Sequence, residues 1–275
     1  MRGEFVEVGQ YRLYYYAAGT RGQGDPIILI HGFPTSSHLW SNLVSLLPAG
    51  HRVVVPDLLG FGRSDIGERA DLSIRGHADR LLGLMDVLGI TRCFLVGHHM
   101  GACIATSIAA IAPQRASQLA LLHPLAGDVT LTGTLAVLRA FMPLSRLTPM
   151  AWCRPALRAE LSRWFSDALR GRASVEQYLS AWQKPPRWKQ FLRQLVALSA
   201  HDVAECTRLL RTLTIPVNIV ASDDDPAVPH VVLDRLREVI PNAPLDIIRD
   251  ARHFSPEETP ERIAGILARV LRSQQ

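Results

Sequence analysis

Short runs that stop at polar turn residues, four of them wholly apolar, recur along this chain, and they leave few folds open to it. Ile27–Ile30 ends at His31-Gly32, and Val53–Val55 ends at Pro56-Asp57. Cys93–Val96 runs into Gly97-His98-His99-Met100-Gly101. Leu119–Leu122 ends at His123-Pro124, Val217–Val220 at Asp223-Asp224-Asp225-Pro226, and Leu245–Ile248 at Asp250-Ala251-Arg252-His253. Apolar runs without alternation suit strands covered on both faces. Tyr11–Ala18 reads as a further strand. Helical stretches stand between the runs. Ser73 is a fitting N-cap for a helix to about Leu88, stopped by Gly89. A second helix leads from Gly101 to about Ala112, before Pro113, and a third runs from Pro260 to Arg272. Such alternation predicts a mostly parallel sheet flanked by helices, with right-handed crossovers.

Between Asp128 and Arg211 the pattern changes to helical periodicity with almost no strand signal. Trp152, Trp164, Trp182 and Trp188 fall here, and Pro149, Pro155 and Pro185-Pro186 break the stretch into short helices. Residues 128–211 are therefore expected to form an inserted helical cap on a core built from 1–127 and 212–275. An apolar content of 48% with 20% charged residues fits a globular chain. The net charge of +5 comes from scattered arginines, without a dense basic stripe and interleaved aromatics, so no nucleic-acid partner is expected. The four cysteines show neither CxxC pairing nor zinc-ligand spacing. Met1–Gln10 lacks a basic segment followed by an apolar run, and no apolar run approaches the roughly 20 residues that span a bilayer. The expectation is a cytoplasmic protein without a membrane span, acting on a small molecule.

In open parallel sheets, ligands bind beyond the carboxyl ends of the strands. That rule brings His31, Asp57, His98, His99, Asp225 and His253 to one rim. Four pieces of this rim, in order, resemble the α/β-hydrolase superfamily, most closely its haloalkane dehalogenase and epoxide hydrolase branch. They are His31-Gly32-Phe33-Pro34, similar to an HGxP oxyanion loop; Pro56-Asp57-Leu58-Leu59-Gly60-Phe61-Gly62-Arg63-Ser64; the Gly97–Gly101 turn, similar to a nucleophile elbow; and the Asp225-Pro226 and Arg252-His253-Phe254 loops.

The resemblance implies roles. His253 would be a general base and Asp225 its orienting acid, with Asp223 and Asp224 as rivals for that place. The backbone N–H groups of Phe33 and Met100 would form an oxyanion hole. His31, Pro34, His98, Tyr178 and Trp182 would line the substrate pocket, although in the resembled family histidines at the His31 and His98 places also serve structurally, bonding loop backbone. No cofactor and no metal are expected. At the elbow the chain departs from the family, because His99 stands where serine or aspartate belongs. Three readings stay open: His99 attacks as a nucleophile, His99 and His253 act as an acid–base pair, or the site is inactive and only binds. Met100 occupies the place of a halide-holding tryptophan, which disfavours dehalogenation. Tyr178 is the only tyrosine of the expected cap, which gives epoxide opening weak support. An apolar cap favours a small or medium apolar substrate, with ester- or epoxide-like hydrolysis as the leading reaction and lyase, isomerase or cyclase chemistry or ligand binding as alternatives.

Overall fold

Each apolar run becomes a strand. The computed structural model describes residues 3–19, 24–127, 131, 133–145 and 147–272. The strands are β1 (Gly3–Val8), β2 (Tyr11–Ala18), β3 (Ile27–Ile30), β4 (Val53–Pro56), β5 (Cys93–His98), β6 (Ala116–Leu122), β7 (Val217–Ser222) and β8 (Leu245–Ile248). They form one sheet in the order β1-β2-β4-β3-β5-β6-β7-β8. β1 and β2 are antiparallel to their neighbours, and the other pairings are parallel. β3, β4, β5 and β6 are buried along their whole length, as unalternating sequence requires. β1 was not foreseen. Its edge position leaves half of its residues exposed, so it lacks the apolar run that marked the others.

Two helices before the insertion are α1 (Ile74–Val87) and α2 (Met100–Ile111). The Ser73 hydroxyl accepts from the Gly76 N–H at 3.0 Å, which caps α1 as its sequence predicts. α3 (Gly133–Ala140), α4 (Met142–Ser145), α5 (Met150–Arg163), α6 (Ala168–Ala181), α7 (Pro185–Ala197) and α8 (Ala200–Leu210) lie between β6 and β7. The expected first residue of the insertion, Asp128, lies outside the described residues. α8 falls before the expected boundary at Arg211, yet it packs against α2 and against α9 (His230–Val239). α10 (Ser255–Glu258) and α11 (Pro260–Arg272) end the chain. Cys93, Cys103 and Cys206 are buried and Cys153 is partly buried, all of them unbridged.

Candidate active site

The turn from β5 into α2 is tight. His99 has φ 52° and ψ −117°, in the left-handed half of backbone space that side chains other than glycine seldom enter. The flanking glycines are required by contact. A Cβ on Gly97 would lie 2.3 Å from the Gly101 carbonyl oxygen, and one on Gly101 would lie 2.2 Å from that of Ile30. Gly32, in the loop after β3, lies as close: a Cβ there would stand 2.8 Å from Cβ of His99. Gly101→Ala is accordingly expected to destabilise the fold by about 3 kcal/mol or more, because backbone on both sides must move. Urea unfolding checks this, and a loss below about 1 kcal/mol would show that the elbow tolerates a methyl group.

Four imidazoles meet at this rim. His99 and His253 stand edge to face, with ring centroids 5.1 Å apart and planes at 87°. His98 lies 4.6 Å from His253, and His123 lies 5.3 Å from it. The Asp225 Oδ2 accepts from His253 Nδ1 at 2.9 Å and from His123 Nδ1 at 2.7 Å. Its Oδ1 accepts the backbone N–H groups of Ala227 and Val228. His123 Nε2 then accepts the Ser255 hydroxyl at 2.7 Å. This bonding assigns the tautomers: with its Nδ1–H given to Asp225, His253 carries its lone pair on Nε2, which is buried and unpaired. His99 Nδ1 is likewise buried and unpaired. Neither Asp223 nor Asp224 reaches His253; Asp224 pairs with Arg252 instead.

Burial lowers His98 and His99 well below the ordinary histidine range, and the neighbouring imidazoles push the same way. Burial also lowers His123, against the pull of Asp225. For Asp225 itself burial works upward, but His253 and the two imidazole N–H bonds outweigh it and hold the carboxyl well below its usual range. His123 Nδ1, Asp225 Oδ2 and His253 Nδ1 are the one set of metal-capable atoms among the described residues that lie within 4.8 Å of one another. They are bonded to each other through protons, and His31, His98 and His99 do not join the set.

The remaining expected residues fall into two groups. Phe33 and Met100 are buried beside the elbow, and among the described residues neither backbone N–H has a hydrogen-bond partner. Pro34, Tyr178 and Trp182 line a cavity of about 320 Å³ with His38, Arg63 and other polar groups. His31 and His98 line no part of it. His31 ties Gly32 to the loop after β4, through its own Nδ1 to the Gly32 carbonyl and from the Leu58 N–H to its Nε2. His98 gives its Nε2–H to the His253 carbonyl at 2.8 Å. Both hydrogen-bond loop backbone, the structural role the resemblance also implies, and neither has the place on this cavity's wall that was the other expectation.

The site is shut. His99 is 2% exposed, and neither it nor His253 borders that cavity. Trp164 covers His253 at 4.9 Å between ring centroids, and Phe191 of α7 covers Phe33 at 4.9 Å. Gln194, also on α7, donates to the Leu72 carbonyl and to the Met100 sulfur, and its Oε1 bonds His77. Sequence reasoning singled out neither Gln194 nor His123. His123 left one signal: it stands before proline at a strand end, as Asp225 stands before Pro226. The packing of Gln194 depends on how the insertion folds back, and nothing local announces it.

A protein-family model described as alpha/beta hydrolase fold matches residues 25–260, so the chain belongs to that family. A putative carbamate hydrolase, RutD of Pseudomonas savastanoi pv. phaseolicola, is 30% identical over 230 residues, covering 83% of this chain and 86% of its own. Among solved structures, Cfl2 of Burkholderia cenocepacia is similar with a TM-score of 0.83 at 26% identity, over 98% of this chain and 95% of that one. The haloalkane dehalogenase DatA of Agrobacterium tumefaciens C58 shares the fold with a TM-score of 0.82 at 21% identity, over 99% and 96%.

Proposed function

We propose that this protein is a cofactor-free hydrolase of small or medium apolar acyl substrates, in which the imidazole pair His99 and His253 activates water directly. The single observation that carries the reading is the unpaired, buried Nε2 of His253, fixed as a proton acceptor by Asp225 and set edge to face against a neutral His99. In this reading water attacks the acyl carbon as His253 Nε2 takes its proton. The carbonyl oxygen gathers charge against the Phe33 and Met100 N–H groups, aided by the N-terminus of α2. The tetrahedral intermediate then collapses, and His253 returns the proton to the leaving oxygen. His99, held neutral by burial, offers one N–H and one lone pair to position the water. His31 and His98 are positioning residues, fixing the oxyanion loop and the His253 loop. Helices α3–α7 form the cap, and α8 belongs with the core on which it packs. The relative described as a putative carbamate hydrolase supports an acyl-type bond as the target.

A second reading, a protein that binds without turnover, is favoured by the burial of His99, which leaves it only 2% exposed. Turnover of a short-chain aryl ester decides between them. The parent is expected to be active, and His253→Ala to lower kcat/KM about 100-fold or more. His99→Ala is expected to cost less than His253→Ala. An acyl adduct on His99, trapped by mass spectrometry, would replace water activation with nucleophilic attack. A parent inert on ester, carbamate and epoxide panels would leave binding as the function.

A further inference from the structure

The insertion exposes an apolar strip far from any role in the buried site. Val137, Leu144, Leu147 and Trp152 are 57%, 65%, 81% and 78% exposed, and Phe141 between them is also exposed. The strip is ordered along the backbone. Phe141 N–H bonds the Val137 carbonyl, Leu144 N–H bonds that of Phe141, and Leu147 N–H bonds that of Leu144. Spacings of four and three residues linked this way keep Val137, Phe141 and Leu144 on one face of a helical run, with Leu147 in the turn that follows. Trp152 follows in the first turn of α5.

The charge along the same stretch is one-sided. Between Asp128 and Glu160 the sequence holds Arg139, Arg146, Arg154 and Arg158, and no acidic residue. Arg154 and Arg158 share the single carboxylate of Glu176, and Glu160 pairs with Arg163, so the surroundings stay net positive. An exposed apolar strip in basic surroundings suits an interface whose centre is hydrocarbon and whose margin is anionic. A second copy of this chain fits less well, because a two-fold contact through the strip would set like charges against each other. No helix among the described residues is long and apolar enough to cross a membrane, so contact through this strip would be peripheral.

We propose that the α3–α5 face docks on an anionic lipid surface, with Trp152 and Leu147 entering the boundary between headgroups and acyl chains. The chain carries its own probe. Trp40, Trp164, Trp182 and Trp188 are buried, so Trp152 is the one indole a vesicle can newly desolvate. Vesicles of phosphatidylcholine containing about one-third phosphatidylglycerol are expected to bind the protein, blue-shift its emission and shield it from acrylamide. Binding should weaken in high salt and on pure phosphatidylcholine. The double variant Trp152→Ser, Leu147→Ser should bind about tenfold less or weaker still, while Trp152→Phe keeps binding and loses the blue shift. Both positions are about four-fifths exposed, so thermal unfolding of the variants should match the parent. If a variant fails to fold, the parent's blue shift and quenching on the two vesicle types decide alone. Absence of binding to the anionic vesicles would overturn the proposal. So would a parent dimer in light scattering that the same double substitution dissolves.

Discussion

Asp225→Asn is expected to lower kcat/KM on the aryl ester by about 10³–10⁴-fold, the scale reported for triads whose histidine is forced into the wrong tautomer. The reason lies in the wiring of both carboxylate oxygens. Oδ1 accepts the Ala227 and Val228 N–H groups, so the amide oxygen of asparagine is held there. The amide nitrogen then replaces Oδ2, where it meets Nδ1–H of His253 and Nδ1–H of His123. Two donors now face a third. Relief requires each imidazole to move its proton to Nε2. His123 tolerates this, because Ser255 can then accept instead of donating. His253 does not, because its Nε2 lone pair is the proposed base. The variant should therefore stay folded and lose turnover. A loss under tenfold, measured as kcat/KM with matched circular dichroism, would remove His253 from the role of base.

Stability is expected to collapse as the pH falls from about 6.5 towards 4.5. His31, His77, His98, His99 and His123 are all buried, and burial lowers each of them; His77 falls to about 3. The unfolded chain takes up these protons near pH 6.5 while the folded chain resists them. The unfolded state thus binds more protons over this window, and stability rises with pH. The contribution is complete above pH 6.5 and lost progressively below it. Each such histidine adds up to about 1.4 kcal/mol per pH unit, so a few together erase a typical stability of about 5–15 kcal/mol within two units. Glu257 works the other way. Burial raises its carboxyl to about 7, so its contribution favours the fold below about 4.5 and fades as pH rises through 7. One such group offsets one histidine, and five oppose it. Tm measured from pH 8 to pH 4.5 should therefore fall steeply below 6.5. A flat profile would mean that the imidazole cluster accepts protons in the folded state.

His99, Asp225 and His253 stand where the sequence placed them because strand ends are marked locally. An apolar run followed by a turn-forming polar residue gives both the strand and its rim position, and the parallel sheet does the rest. The glycines around His99 were legible for the same reason: a sharp strand-to-helix turn leaves no room for side chains. For His31 and His98 the resemblance left two places open, the pocket wall and a structural bond to loop backbone. His31 bonds Gly32 and the Leu58 N–H in the loop after β4, and His98 Nε2 bonds the His253 carbonyl, contacts that depend on packing between distant segments.

The mostly parallel sheet, the helical insertion and the histidine at the elbow were legible in the amino-acid sequence, because burial on both faces and turn chemistry act over a few residues; the order of strands within the sheet was not. The tertiary structure alone decided that His123 shares Asp225 with His253, that Phe191 packs on Phe33 while Gln194 bonds Leu72 and Met100, and that Trp152 faces outward while its four counterparts turn in. These depend on contacts spanning roughly a hundred residues, where the gain from burial is set by which surfaces meet, and a local pattern carries no record of that choice.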